Sequence, residues 1–445
     1  ERGQVEGFIT DWFGSDVKAG RGLLAHLDRS LALSGLARVP LLLSFLCWVA
    51  RERKNAVPES RVDLYETVLH MLLQGHWRPE EQWEQDEQRI NAKLDVLEAV
   101  ALYFARWQRQ WWDLLPGGEL GRALRRAAGG TGLPKDGLLI GLSVHDGVLV
   151  KAGAAVGLAD TQVPYLFLHK TLHEYLVARA LARMTAQGEW QAVVREHCWF
   201  EPDWEEVFPL LAGLLAKRQH GGQPAAVLEV LRRESDDAFH AMLLLAGRCL
   251  GETPDAGGMP IGQHVLNDLI QLLSGTRSAT ERTKAARVLV QAGPSGITAV
   301  AAVLQNPSAK SSLRMAAGRA LGAMGPGALP ALTTVLQDTT TISGVRWAAA
   351  EALGAMGPAA LPALPVLTAV LQDPTVNSNA RKAVAQALGA MGPAALPALP
   401  VLTAVLQDPT TNSNVRKAVA PILGAMGPAA LPALTAVVQD PTAHS

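Results

Sequence analysis

The sequence predicts a mainly α chain, in which a helical and winged-helix-like N-terminal part is joined to a C-terminal α-solenoid. Three observations carry that expectation. The last third repeats itself, with Gly-Ala-Met-Gly-Pro at Gly322–Pro326, Gly354–Pro358, Gly389–Pro393 and Gly424–Pro428, and a degenerate copy ending at Gly293–Pro294. Several stretches before residue 108 carry apolar side chains at helical spacing. Between Ser143 and Tyr165 the period changes to that of strands, so a hairpin is set among helices.

The opening Gln4–Phe13 places Val5, Phe8, Ile9, Trp12 and Phe13 on one stripe, and a helix starts there. A second begins near Leu23. Leu36–Glu52 reads as a third that is apolar nearly all round and therefore buried. Val57-Pro58-Glu59-Ser60 breaks the pattern, and Asp63–Gly75 and Glu87–Trp107 resume it. Gly147–Val150 and Pro164–Leu168 are short β-branched or aromatic runs on either side of a Gly/Ala-rich loop, which predicts a two-stranded hairpin or wing. His169–Met184 follows as a helix with Leu172, Tyr175, Leu176, Ala180 and Leu181 on one face. Helices, a wing and a further helix predict a winged-helix-like module.

At 445 residues, 49% hydrophobic and net charge −1, the chain is long enough to bury roughly two to four domain cores and has no reason to be disordered. Cys47, Cys198 and Cys249 are scattered and odd in number, which predicts a reducing compartment, no disulfide framework and a cytoplasmic location. The longest uncharged apolar run, Val39–Ala50, is shorter than the about 20 residues a spanning helix needs, and no signal peptide opens the chain, so no membrane is expected. The first residue is Glu, which marks a piece of a longer protein.

The run from Phe167 to Leu181 (Phe-Leu-His-Lys-Thr-Leu-His-Glu-Tyr-Leu-Val-Ala-Arg-Ala-Leu) resembles the segment that ends the winged-helix part of NACHT-type STAND signalling NTPases. That family shows an aromatic-x-His-x-x-x-x-Glu-Tyr/Phe-Leu-Ala-Ala run there. Gln4–Phe13 resembles the family's helix after the NTPase core, Leu36–Leu43 its Pro-Leu-Leu-Leu turn, and Leu64-Tyr65-Glu66 its Leu/Ile-Tyr pair. The resemblance covers about residues 1–215 and implies two ligand contacts. Pro40 would pack against the adenine of bound ADP, and His169 would contact one of its phosphates, holding a closed, inactive state. The Gly-x-Pro form of the turn needs glycine at position 38, where this chain has Arg38.

No G-x-x-x-x-G-K-[ST] occurs, and Gly129–Lys135 has its glycines and lysine at the wrong spacing to cradle phosphates. This chain alone is therefore no enzyme and needs no cofactor. The resemblance implies that the full-length protein is an ATPase using ADP/ATP with Mg, its P-loop half upstream. There is no G-x-S-x-G elbow, C-x-x-C pair or Rossmann glycine run after a strand. Rival readings stand beside these: His169 as a capping or strand-end histidine, and Pro40 as a helix-initiating proline. His169 and His173 share the i, i+4 spacing of a zinc pair but lack a third convergent ligand. Trp107, Trp111 and Trp112 read as core rather than as a base-stacking platform.

In the repeats, the prolines at 294, 326, 358, 393 and 428 stand 32, 32, 35 and 35 residues apart. Units of that length are helical hairpins that bury a core only by stacking. Each Gly-Pro step puts a residue tolerant of left-handed backbone after one helix and a residue of fixed φ before the next. Leu364, Leu367 and Leu371 mark a first helix; Val384, Leu388 and Met391 mark a second, rich in alanine and suited to close packing. The longer copies add Pro365, which predicts a bent first helix. The units resemble HEAT repeats, whose Asp closing one helix and Arg opening the next are present as Asp338/Arg346, Asp373/Arg381 and Asp408/Arg416, with Asn306/Arg314 in the first copy. These are expected to form an Asp–Arg hydrogen-bond ladder rather than a basic face. Residues 293–445 hold eight Lys/Arg against five Asp/Glu, too little for phosphate binding, so nucleic acid is not expected as a partner.

The expected domains are a helical domain at 1–60, a winged-helix-like domain at 61–186, a helical connector at 187–277 and HEAT-like repeats at 278–445. The expected role is the regulatory and sensor portion of a NACHT-like ATPase in signal transduction of an innate-immunity-like kind. Its solenoid would bind a protein or other ligand, and activation would bring homo-oligomers. The alternatives are a freestanding HEAT-repeat scaffold and a HEAT-like bilin lyase subunit.

Overall fold

The computed structural model describes residues 2–28, 31–53, 57–107, 114–153, 162–184, 189–199, 201–217, 222–234, 236, 239–275, 278–306, 308–338, 341–426, 430–432 and 435. The chain divides into two compact units, Glu1–Gly262 and Gln263–Ser445.

The first unit opens with α1 (Arg2–Phe13), α2 (Val17–Leu27), α3 (Leu31–Leu36) and α4 (Pro40–Glu52). The single helix expected across Leu36–Glu52 is broken at residues 37–39. Pro40 disfavours helical backbone in its predecessor, and Val39 is extended at φ −97° and ψ 116°. Pro40 then opens α4, which buries Leu42, Phe45, Leu46 and Val49. Ser60 caps α5 (Arg61–Gln74) by accepting from the Asp63 amide at 3.1 Å, and Gly75 ends it at φ 78°.

After α6 (Glu87–Trp107) come β1 (Leu115–Pro116), α7 (Gly117–Ala127), α8 (Leu138–Ile140), a π-helical turn at Gly141–His145, β2 (Leu149–Lys151), β3 (Pro164–Phe167) and α9 (Lys170–Arg183). The strands form one antiparallel sheet in the order β1-β3-β2, with Leu115 opposite Tyr165 and Leu149 opposite Phe167. A helix, a strand, two helical segments and a hairpin on such a sheet make a winged-helix arrangement. The sequence predicts two of these strands. β1 escapes it because two residues cannot show alternation, and its Pro116 has no amide to donate.

The unit continues with α10 (Glu189–His197), α11 (Val207–Ala216), α12 (Ala226–Arg233), α13 (Ala241–Glu252) and α14 (Pro254–Gly257). Every residue of α11 from Val207 to Leu215 is buried, because the helix packs on both α9 and α13. α9 lies against α6 as well, which explains its unbroken burial from Leu172 to Ala178.

The second unit is a two-layer stack. After α15 (Pro260–Gly275) and α16 (Ala279–Gln291), its first layer is α17 (Gly293–Gln305), α19 (Leu329–Gln337), α21 (Leu364–Gln372) and α23 (Leu399–Gln407). The second layer is α18 (Ser311–Ala323), α20 (Ser343–Met356), α22 (Ser378–Ala390) and α24 (Ser413–Ala425). Within each layer every helix packs on the next. The alanine-rich layer is close: a Cβ on Gly322 would stand 3.1 Å from Ala352 Cα, and one on Gly354 3.2 Å from Ala387 Cα.

The glycines of the Gly-Pro steps are left-handed, with φ 69° at Gly325, 56° at Gly357 and 58° at Gly392. A 3-10 segment follows each, Gly325–Ala328 in the short copy, Gly357–Ala363 and Gly392–Ala398 in the longer ones. The three added residues supply one turn of 3-10 helix, at about three residues per turn, and the α-helix after it stays at 9 residues. Pro365 therefore does not bend an α-helix. It sits in the first turn of α21, and the irregularity falls where the 3-10 segment meets α21. Ser343–Gln372 is long and apolar enough by composition to cross a membrane, but it is α20 and α21 with this 3-10 segment and left-handed Gly357 between them.

Candidate functional site

Pro40 is exposed at the start of α4 and lines a cavity of about 690 Å³ with Phe8, Leu27, Asp28, Arg38 and Leu43. Arg38, which occupies the position expected of glycine in the Pro-Leu-Leu-Leu turn, is thus a cation within the same groove.

His169 stands between β3 and α9 as the N-cap of α9, with extended backbone at φ −148° and ψ 145°. Its Nδ1 accepts from the Thr171 amide at 3.2 Å and lies 2.7 Å from Thr171 Oγ1. An Nδ1 that accepts an amide proton carries none, so the ring proton is on Nε2 and is available to donate. Burial holds the imidazole below its ordinary pKa, which favours this neutral form. His169 does not line the groove at Pro40.

The zinc spacing is not realised. His173 turns into the core, its Nε2 3.2 Å from the Ala101 carbonyl and its ring stacked on Phe167 at 4.5 Å. Among the described residues no three His, Cys, Asp or Glu side chains gather as a metal site. The side chains of Trp107, Trp111 and Trp112 lie outside the described residues.

The ladder in the repeats differs from the expected Asp–Arg pairing. Arg346 donates to the main-chain carbonyl of Asp338, and Arg381 to that of Leu371 at 2.8 Å. Both guanidiniums are buried, and each satisfies a carbonyl orphaned at the end of a first-layer helix. The carboxylates serve the turn instead. Asp373 Oδ1 accepts from the Thr375 amide and hydroxyl, and Asp408 accepts from the Thr410 and Thr411 hydroxyls; these bonds hold both carboxyls below the usual range. The expected Asn306–Arg314 pair is not made: Asn306 Oδ1 accepts from the Ser308 amide, and Arg314 Nε has no partner among the described residues. A short amide that closes its own turn cannot also reach across to the arginine.

A charged network inside the first unit was not legible as such. Arg179 bridges Glu98 at 2.6 Å and Glu66 at 3.4 Å, Arg183 reaches Glu98 at 3.0 Å, and Lys217 meets Glu66 at 3.1 Å. Burial pushes the Glu98 carboxyl up, against the two arginines. Arg61 joins Glu206 at 2.8 Å and Glu252 at 2.6 Å. Together these tie α5 and α6 to α9, α11 and α13. The available signal was a charged residue, Glu98 or Arg179, standing inside an apolar helical stripe.

A family model described as HEAT repeats matches residues 266–353, 297–389, 343–411 and 375–444. This part of the chain is built of HEAT repeats, and the first match starts within α15, ahead of the expected boundary at 278. Solved structures similar to the chain include an engineered protein at 17% identity, covering 81% of this chain and 98% of that one, with TM-score 0.27. Human deoxyhypusine hydroxylase in complex with glycerol is similar at 19% identity over 68% of this chain and 98% of that one, with TM-score 0.22. Kap121p bound to Nup53p is similar at 13% identity, covering 98% of this chain and 55% of that one, with TM-score 0.28. No curated protein matches the chain.

Proposed function

We propose that this chain is the regulatory and sensor portion of a cytoplasmic NACHT-like signalling ATPase, its winged-helix module gating nucleotide state and its HEAT repeats binding a protein. The carrying observation is the placement of His169 at the junction of sheet and helix, where capping through Nδ1 leaves the ring proton on Nε2 as a donor. A neutral donor suits a phosphate oxygen of ADP, and loss of that contact would free the module to rotate. The groove at Pro40 supplies apolar walls for a planar base, while the phosphate cradle and its Mg belong to the upstream half. Ligand on the repeats would shift the closed population toward an open, oligomerising one.

The test begins with the coding sequence upstream of Glu1, where a strand followed by G-x-x-x-x-G-K-[ST] is expected. In the full-length protein His169→Ala should then release ADP that the parent retains through purification. Unchanged retention, or an unrelated upstream domain, would leave a HEAT-repeat binding scaffold as the better account, a reading the family match favours independently.

A further inference from the structure

We infer that the first unit holds a separate small-molecule site, for an α-amino acid with an apolar side chain. The site is a cavity of about 390 Å³ lined by the loop after α5, by Arg89 and Lys93 of α6, and by the segment that runs from Leu133 into the π-helical turn. It shares no lining residue with the groove at Pro40, so it stands apart from the nucleotide reading. Its volume is near the lower end for small-molecule sites, and π-helical turns occur often at functional positions.

Charge selects the ligand. Arg78, Arg89 and Lys93 stand against Glu84, Asp136 and Asp146 in the lining, three against three with His145 counted neutral. Two pairs close within the wall: Lys93 meets both carboxylate oxygens of the buried Asp146 at 2.9 Å, and Arg89 meets Glu84 at 3.2 Å. One charge of each sign is left over. Arg78 is in no ion pair among the described residues, and its Nε is buried without a hydrogen-bond partner there, a costly state for a donor. Asp136 is exposed and also in no ion pair among the described residues. A zwitterion brings a carboxylate to Arg78 and an ammonium to Asp136 while the cavity stays neutral overall. A polyphosphate would bring several charges that nothing in the lining balances.

The walls are set before a ligand arrives. The Arg78 guanidinium lies against Gly75, the left-handed end of α5, where a Cβ would collide with it. Trp83 donates from Nε1 to the Arg78 carbonyl at 2.8 Å and stacks on His76 at 4.1 Å, so the ring and the Arg78 backbone are fixed together. A guanidinium held this way offers a carboxylate two parallel bonds at little entropic cost. Trp83, Leu133, Pro134 and Leu138 supply the apolar part of the lining, which suits an aliphatic or aromatic side chain.

The experiment is isothermal titration calorimetry of the whole chain with L-phenylalanine, glycine, 2-phenylethylamine and 3-phenylpropanoate. Phenylalanine should bind, and glycine, which offers nothing to the apolar wall, should bind about tenfold or more weakly. 2-Phenylethylamine lacks the carboxylate and should also lose about tenfold or more. 3-Phenylpropanoate lacks only the ammonium that meets the exposed Asp136 and should lose about threefold, a difference that vanishes in Asp136→Asn. Arg78→Lys keeps the charge but not the two-bond fork and should bind phenylalanine about tenfold more weakly. The ligand series on the parent chain decides the matter even if Arg78→Lys fails to fold. No heat with phenylalanine at about 10 mM overturns the inference. Equal affinity of phenylalanine and either analogue does the same, as does a folded Arg78→Lys chain that binds like the parent. ADP retention at His169 is read separately, so failure of either experiment leaves the other standing.

Discussion

Arg346 donates from Nε at 3.1 Å and from Nη2 at 2.7 Å to one atom, the main-chain carbonyl oxygen of Asp338 eight residues before it. The bond joins second-layer helix to first-layer helix through backbone, so the residue that matters at the junction is the arginine and not the aspartate side chain. Arg346→Ala is expected to lower the stability of the repeat unit by about 1–3 kcal/mol, because a carbonyl loses its donor in a buried setting. Asp338→Asn keeps that carbonyl and should cost under about 1 kcal/mol. Urea unfolding followed by circular dichroism separates the two, and equal losses would restore a carboxylate–guanidinium pairing.

Gly354→Ala tests the close approach of α20 and α22. Alanine is the better helix former by about 1 kcal/mol, but the new Cβ would lie 3.2 Å from Ala387 Cα, on backbone that cannot rotate away. The clash should win, with a net loss of about 1–3 kcal/mol. Gly344→Ala in the same helix meets nothing within 4 Å and should stabilise by about 0.5–1 kcal/mol. Paired melting curves give both signs.

The cap on α9 predicts a pH dependence. The folded pKa of His169 is depressed, so the unfolded chain binds the extra proton first as pH falls below about 6.5. The contribution is fully present above that value and is lost as pH descends through the folded pKa. His169→Asn keeps a capping oxygen and removes the titration. The difference in stability between parent and His169→Asn should shift with pH below 6.5 and be flat between 7 and 8; a flat difference throughout refutes the burial-depressed pKa of His169.

Removal of Arg179 leaves the buried Glu98 carboxylate with Arg183 and the Glu66 carboxylate with Lys217 as remaining partners. Arg179→Met should destabilise the first unit by about 1–3 kcal/mol, since Glu98 and Glu66 lose their shared partner. Glu98→Gln in the same background should recover part of the loss, because a buried charge held by Arg183 alone is gone. The double-mutant cycle in urea checks both arms, and additive losses would mean that the pair is not coupled.

Much of this architecture was written in local patterns. The limits of α6 at Glu87 and Trp107 follow from periodicity alone, and the left-handed glycines at 325, 357 and 392 follow from the Gly-Pro steps. Pro40 as a helix opener and His169 as a helix cap were both readable, because capping involves residues only two or three apart. The two-residue strand β1 was not, since its partner Tyr165 lies fifty residues away and its own length carries no period.

The sequence by itself determined the helices, their punctuation and the stacking of the repeats, for these depend on spacing within about one period. Only the tertiary structure decided which atoms the charged residues serve. Arg346 and Arg381 turn to backbone carbonyls, Asp373 and Asp408 turn to their own loops, and Arg179 finds Glu98 and Glu66 across the first unit. A charged side chain is satisfied by whichever donor or acceptor the packed helices bring within hydrogen-bond reach, and that is set by how the helices pack rather than by the order of residues along any one of them.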